Sequence, residues 1–477
     1  MPTFYIEQFG CRATQADGAA LERQLLQRGC SSAASSSSAD IIVINTCTVT
    51  AAADTQARDA IRKVHAQNPA ARVIVTGCYA QRAPEELAAL PGVSWVVGNS
   101  HKPQIPQLID SISTIAPPGT SNELFSAAQL LNSTVPLHSS VVAQHTAPDL
   151  HNILIGNIFE QTTLLAAPVF GGEGNHTRPT LKIQDGCNLR CSYCVIPFVR
   201  GKSRSLPPDT VISEIQRLAD SGYREIVLSG INLGTYGRDL SPRVDFEHLL
   251  RRILDETSLE RLRISSFEPQ DVTQDLVELF ASTDRIAQNF HMPLQSGSDP
   301  ILAAMHRWYR TEHYARRVQL IRERLPHAAI SADVIAGFPG ESEADHAATL
   351  SFIDQLPFTY LHVFSFSSRP GTKAVSLPNQ IPGSVIKRRA RELRALSDSK
   401  SAAFRRSQLG RTLRVLTLHP DLDPNSTPAL STNYIKVRVK GHHSANQLLD
   451  VLISTGTETT LAGESIPSVS TTSVSLR

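Results

Sequence analysis

Seven cysteines are the residues of this 477-residue chain with the greatest capacity for chemistry, and their placement says which chemistry. Cys187, Cys191 and Cys194 form Cys-x3-Cys-x2-Cys directly after the apolar run Leu181 to Gln184. Thiolates are the usual ligands of iron–sulfur clusters, so three this close can hold three corners of a cubane and leave the fourth iron open to a small molecule. The competing reading is a structural zinc. A closed zinc site wants four ligands, and no matched pair of cysteines or histidines stands nearby.

Cys11, Cys47 and Cys78 are far apart in sequence, yet each closes a short apolar run: FYIEQFGC, IIVINTC and VIVTGC. If those runs are parallel strands, their carboxyl ends share one edge of the sheet, which is where ligands bind in open α/β folds. A second three-thiolate site is the functional reading, and three separately buried core cysteines the bland one. Cys30, just past Gly29, reads as a structural bystander.

The elements that must position these residues follow from periodicity. In the first hundred residues the runs Thr3 to Phe9, Ile41 to Asn45 and Val73 to Thr76 alternate with helix-like stretches near Ala16–Arg28 and Ala51–Gln67, which end at Gly29 and before Pro69. That βαβ pattern predicts a doubly wound parallel α/β domain over 1–110. A connector rich in Ser, Thr and Pro follows over 111–177. From 178 to 400, six apolar runs ending near Gln184, Ser229, Ser265, Pro293, Ile335 and Phe366 predict a partial (β/α)6 barrel, whose chemistry belongs in the loops at the strand carboxyl ends. Alternating runs at Thr412–Leu418, Tyr434–Val439 and Leu448–Ile453 predict a small antiparallel β-barrel over 401–466.

Apolar residues at 41% and charged residues at 19%, with a formal net charge of +2, exclude wholesale disorder and a generally polycationic surface. Basic character is instead local: ten Lys or Arg lie between Lys387 and Arg414 against Glu392 and Asp398. The opening residues show no basic-then-apolar leader, and no stretch approaches 18 uninterrupted apolar residues, so a cytoplasmic protein without a membrane partner is expected. An odd, sparse cysteine count in such a compartment points to metal or redox chemistry rather than disulfides.

With these motifs in hand, the chain resembles the methylthiotransferase family of radical S-adenosylmethionine (SAM) enzymes. The phrases INTCTVT, VTGCYAQRAP, LKIQDGCNLRCSYCVIPFVRG, PLQSGSD, ADVIAGFPGE and LHVFSFSSRPGT read most like the branch acting on N6-threonylcarbamoyladenosine (t6A) at position 37 of transfer RNA. The resemblance implies three parts: a methylthiotransferase domain, a radical SAM barrel and a C-terminal TRAM barrel. It implies two [4Fe-4S] clusters, a radical cluster on Cys187, Cys191 and Cys194 and an auxiliary one on Cys11, Cys47 and Cys78. SAM would be used twice per turnover, as radical source and as methyl donor, and cofactors rather than side-chain acids would carry the attack on the unactivated adenine C2–H bond.

By the same resemblance, Tyr193 would meet the SAM adenine, and Ser229, Gly230 and Asn232 would lie by its amino-acid moiety. Glu268 and Gln295, at the rim after the third and fourth barrel strands, are further cofactor candidates. Lys387, Arg388, Arg389, Arg405, Arg406, Tyr434 and Lys436 are the expected RNA contacts, through phosphate neutralisation and stacking. The anticodon stem-loop is the implied partner, together with a reductant such as flavodoxin or ferredoxin and a sulfur donor of unspecified identity. Sister branches act on isopentenyladenosine-37 or on a ribosomal-protein aspartate. Two rivals come from other classes: a zinc-containing, non-catalytic RNA-binding protein, and a cobalamin-dependent radical SAM methyltransferase, whose Asp-x-His-x-x-Gly motif the first hundred residues lack.

Overall fold

The computed structural model describes residues 2–113, 152–162, 164–169, 177–457 and 459–467, so most of the expected connector lies outside the described residues. The chain divides into two compact units. The first comprises Met1–Val169, Gln184–Arg204 and Ser367–Val375, and the second Phe170–Ile183, Ser205–Phe366 and Ser376–Arg477.

In the first unit six parallel strands, β1 (Thr3–Gln8), β2 (Ser31–Ser32), β3 (Ile41–Thr46), β4 (Arg72–Gly77), β5 (Val93–Gly98) and β6 (Ile153–Leu154), form one sheet in the order β2-β1-β3-β4-β5-β6. β3 is buried along its whole length, as the unbroken run Ile41-Ile42-Val43-Ile44 requires of a central strand covered on both faces. Alternate residues serve opposite faces. Ile42 and Ile44 pack with Ala57, Ile61 and Val64 of the helix Ala51–Gln67, while Ile41 and Val43 join Phe4, Leu21, Leu25 and Leu108. The helix Ala51–Gln67 begins where Thr50 Oγ accepts from the Ala53 amide at 3.2 Å, a side-chain cap on an otherwise orphaned donor. Within the expected connector, Ile153 and Leu154 extend the sheet as its sixth strand, β6.

The second unit holds six more parallel strands in two ladders. Glu225–Ser229 lies between Thr180–Lys182 and Arg261–Ile264, and Ala329–Ala336 lies between Asn289–His291 and Tyr360–Ser365, with the bridge Leu262–Ile286 joining the two. This is the expected (β/α)6 arrangement. Leu181, Ile226, Leu228, Leu262, Ile264, Phe290, Ala332, Val334 and Leu361 share one apolar core with the surrounding helices. Because side chains alternate along a strand, the other face carries Glu225, Arg261, Arg263, His291, Asp333 and His362.

After the helix Gly383–Arg406, which runs across the expected boundary at residue 400, five strands close into a barrel: Thr412–Thr417, Ser426–Ser431, Lys436–Lys440, Leu461–Ile466 and Leu448–Gly456. This is the expected small antiparallel barrel, with one parallel pairing, Lys436–Lys440 with Leu461–Ile466. Five is odd, and strict up–down alternation cannot close an odd ring without two like-directed neighbours.

Within this unit the terminal barrel is joined to the strand scaffold by a buried charge network. Fully buried Glu225 takes ion pairs from Arg263 at 2.7 Å, Arg261 at 3.2 Å and Arg178 at 3.3 Å. Burial pushes its carboxyl up, but Arg263, Arg261 and Arg178 overcome this and hold it at about 2. The spare guanidinium donors reach main-chain carbonyls of the barrel: Arg263 to Ser431 and Thr432 at 2.9 and 3.1 Å, and Arg261 to Arg414 and Leu430 at 3.3 and 3.4 Å.

Candidate metal centre

All seven cysteines lie in the first unit, and six of them form the two triplets. Cys11 caps the helix Arg12–Gln27 just beyond β1, Cys47 follows β3, and Cys78 opens the helix Cys78–Arg82 immediately after β4. The strand order reverses between β1 and β3, so Cys11 and Cys47 flank the topological switch point, where open α/β sheets bind ligands.

The backbone around these thiols is tight. Gly10 has φ +97° and a Cβ there would stand 2.4 Å from Cys47 Cβ, while Gly77 has φ +102° and its Cβ would stand 2.3 Å from the Thr46 carbonyl oxygen. Only glycine takes both the left-handed backbone and the approach. Cys47 and Cys78 are buried and Cys11 is exposed. Burial, with the neighbouring Cys78 and Cys11, pushes the Cys47 thiol up to about 12. Such a thiol stays protonated unless a cationic centre displaces the proton, as metal binding to cysteine does. Two buried thiols and an exposed third, with Cys47 facing both Cys78 and Cys11, are a donor set that fits an iron–sulfur cluster.

Around them is a shell of buried polar groups. Asn99 Nδ2 donates to Cys78 Sγ at 3.5 Å and to the Val199 carbonyl at 2.8 Å, and Thr14 Oγ lies 3.6 Å from Cys11 Sγ. Arg200, 2% exposed, donates to Asp185, Asp17 and Thr14 at 2.9 to 3.2 Å. Burial works against its charge, but Asp185, Cys78 and Asp17 more than restore it and raise its pKa well above the usual value. Lys102 is also buried, donating to Asp17 at 3.0 Å and Asn45 at 3.2 Å. Such outer-shell partners orient metal ligands and tune their basicity.

The second triplet sits in the loop Gln184–Arg204. Gly186 has φ +72°, and a Cβ there would stand 2.0 Å from the Lys202 carbonyl oxygen. The Cys187 amide donates to Gly201 at 3.0 Å and the Cys194 amide to Cys191 at 3.1 Å. Gln184 Nε2 ties the loop through Ser203 Oγ and the Gly186 carbonyl at 2.9 and 2.8 Å, and the Leu189 amide points at Cys187 Sγ at 3.4 Å. Cys78 packs in one small apolar cluster with Val195 and Val199, so the two triplets belong to one packed body. Tyr193 is half-buried between Cys191 and Cys194.

The remaining cofactor candidates lie in the second unit, at carboxyl ends of successive strands. Ser229, which ends the strand Glu225–Ser229, and Asn232 are buried, with Gly230 between them. Glu268 ion-pairs with Arg307. Gln295, at φ +68°, is fixed by main-chain bonds to Asp333 and Ile335 at 2.8 and 2.9 Å. Among the RNA candidates, Lys387, Arg406 and Lys436 are exposed and Arg388 and Arg405 half-buried, but Arg389 is 3% exposed and donates to Glu341 at 2.7 Å and Glu343 at 2.8 Å. Arg389 is thus committed to the fold. Tyr434, 44% exposed at φ +64°, lies with its ring 5.2 Å from the Arg263 guanidinium.

Sequence reasoning missed Asp17, Asn99, Lys102, Arg200, Arg307 and Asp271. The last has its carboxyl raised to about 6, chiefly by burial, with Arg238 opposing and Glu268 adding to the rise. The phrase VIPFVRG carried one signal that was available: an arginine six residues after a cluster-type cysteine and bounded by a glycine.

Residues 3–98 match the family model described as uncharacterized protein family UPF0004, and residues 181–353 match the radical SAM superfamily. A likeness in fold extends to the radical SAM methyltransferase TsrM from Kitasatospora setae with cobalamin and a [4Fe-4S] cluster bound, at TM-score 0.54 and 17% identity over 78% of this chain and 73% of that one. The class is therefore that of the radical SAM enzymes. The chain is 35% identical over 448 residues to threonylcarbamoyladenosine tRNA methylthiotransferase MtaB of Aquifex aeolicus (strain VF5), covering 94% of this chain and 99% of that protein. It is 34% identical to MtaB of Bacillus subtilis (strain 168), covering 92% and 91%, and 32% identical to the tRNA-2-methylthio-N(6)-dimethylallyladenosine synthase of Syntrophobacter fumaroxidans, covering 88% and 86%. It belongs to the radical SAM tRNA methylthiotransferase family, in the likeness of its threonylcarbamoyladenosine branch.

Proposed function

We propose that this methylthiotransferase converts t6A at position 37 of transfer RNA to its 2-methylthio derivative. The observation that carries the reading is the gathering of Cys11, Cys47, Cys78, Cys187, Cys191 and Cys194 into one compact unit, in a chain matching the t6A-acting relatives over nearly their full length.

Cys187, Cys191 and Cys194 would hold one [4Fe-4S] cluster, and Cys11, Cys47 and Cys78 a second. Clusters held there would supply an electron for reductive cleavage of SAM at Cys187, Cys191 and Cys194, and sulfur for methyl transfer at Cys11, Cys47 and Cys78. The chain's own residues set the conditions for this. Gly10, Gly77 and Gly186 let the backbone close on each site without a side chain. Asn99 and Thr14 present polar groups to Cys78 and Cys11 sulfur. Arg200 and Lys102 place buried positive charge beside the Cys11, Cys47 and Cys78 triplet, balanced by Asp17 and Asp185. Tyr193, Ser229, Gly230, Asn232, Glu268 and Gln295 remain the residues assigned to SAM, and the exposed Lys387, Arg406 and Lys436 those assigned to phosphate, with a flavodoxin- or ferredoxin-class reductant as partner. Among the described residues, no helix is long and apolar enough to cross a membrane.

A second reading, methylthiolation of N6-dimethylallyladenosine, is favoured by one observation, the 32% identity to a synthase of that product. Mass spectrometry of transfer-RNA nucleosides from cells with and without the gene separates the two. Loss of 2-methylthio-t6A alone supports the proposal, and loss of the dimethylallyl product alone overturns it.

A further inference from the structure

A second candidate metal site, separate from all six cysteines, lies on three adjacent strands of the second unit. His291, Asp333 and His362 bring one ligand atom each within 4.8 Å of one another, the one group of this kind among the described residues. The register explains the convergence. Asp333 is directly opposite His362, and His291 is opposite Ser331, one step of the same face away. The intervening residues Phe290, Ala332, Val334 and Leu361 belong to the apolar core, so these three side chains share the other face.

Their surroundings resemble a ligand shell. His291 Nε2 stands 3.1 Å from Asp333 Oδ1, and its Nδ1 is 3.0 Å from Ser331 Oγ. Tyr360 OH is 3.4 Å from His362 Nδ1, and the two imidazoles meet edge to face with centroids 5.3 Å apart. A second hydrogen bond to each ring is the feature that fixes the tautomer and orientation of metal-ligating histidines. His291 and Asp333 are half-buried and His362 is exposed, which leaves a route for an ion. Two imidazoles and one carboxylate suit divalent first-row metals, and three protein ligands leave positions for water or another oxygen donor.

We infer that His291, Asp333 and His362 form a binding site for a divalent transition ion, distinct from the cysteine sites. The probe is Zn2+, added to cluster-loaded protein, with excess removed by desalting and zinc and iron then counted per chain. The expected result is about one zinc per chain whose X-ray absorption shows only nitrogen and oxygen neighbours near roughly 2.0–2.1 Å. His362→Ala and His291→Ala should each lower zinc affinity at least tenfold with iron content unchanged, and Asp333→Asn should do the same while keeping the shape of the side chain. Zinc that is not retained, that is retained equally by the His291→Ala/His362→Ala double variant, or that shows sulfur neighbours near roughly 2.3 Å overturns the inference.

Discussion

Arg369 donates to Asp54 at 2.8 Å across 315 positions of sequence, and both side chains are buried. Asp54 also accepts from Arg82 at 3.0 Å and Thr48 at 2.6 Å, so one carboxylate anchors the residue after Cys47 and the helix that Cys78 opens. The RPGT and ADTQ phrases thereby serve the geometry of the first cysteine triplet from a distance.

Asp54→Ala should therefore leave buried Arg369 without its carboxylate and half-buried Arg82 with Glu86 alone, at a cost of about 3–5 kcal/mol. Reconstituted protein should show a lowered melting temperature and fewer than the parental number of irons per chain. Undiminished iron at full stability would show that Asp54 does not anchor the triplet.

The two cysteine triplets should separate functionally. Cys187→Ala is expected to abolish formation of 5′-deoxyadenosine from SAM, whereas Cys47→Ala should retain it and lose methylthio product. Chromatographic assay of both products from each purified variant checks the pair.

Gly10→Ala meets both a φ of +97° and the Cys47 side chain at 2.4 Å. A left-handed backbone costs a non-glycine residue about 1–2 kcal/mol before any clash, and relief of the clash must shift Cys47. The expected outcome is lowered thermal stability together with loss of iron, while Gly340→Ala, with nothing within 4 Å, should lower stability and spare the iron.

Asp271 gives a pH dependence with a definite sign. Burial raises its carboxyl to about 6, above the ordinary 3.8 of an aspartate, so the folded state binds the proton more tightly. The protonated form is favoured by folding, and this contribution is lost as pH rises through about 6. Between pH 4.5 and 7 it amounts to about 2 kcal/mol. Urea midpoints of the parent relative to Asp271→Asn should diverge in favour of the parent as pH falls, and a constant difference would count against the assignment.

For RNA, the neutralising set Lys387→Gln, Arg391→Gln and Arg394→Gln is the informative test, because all three are exposed. Affinity for the anticodon stem-loop should fall, and the log–log salt slope should flatten by roughly 0.7–0.9 for each phosphate contact removed. Equal affinity and slope in parent and variant would place recognition elsewhere.

Local pattern was enough to read the parts of the fold that local forces determine. The helix Ala51–Gln67 carries its own cap and stop, and β3 is a run of aliphatic residues that suits only a covered strand. The placement of Cys11, Cys47 and Cys78 after neighbouring strands was legible because three apolar runs end alike. Less legible were Ser426–Ser431 and Leu461–Ile466, which are polar enough to pass for loop until the barrel closes around them. Charge was read least well. Arg389 looks like its basic neighbours, and only its approach to Glu341, 48 positions away, withdraws it from the surface. Glu268 is bound to Arg307 in the same way.

The network of Glu225, Arg261 and Arg263 bears on how this architecture can be cut. Because both guanidiniums end on carbonyls at 414 and 430–432, excising the terminal barrel would expose an arginine pair whose acceptors had gone with it. Such a deletion acts as a core lesion of the catalytic scaffold rather than as the removal of an appendage. A lineage shedding this module would first have to rewrite two positions on the strand Arg261–Ile264, which ties the inheritance of the one to the sequence of the other.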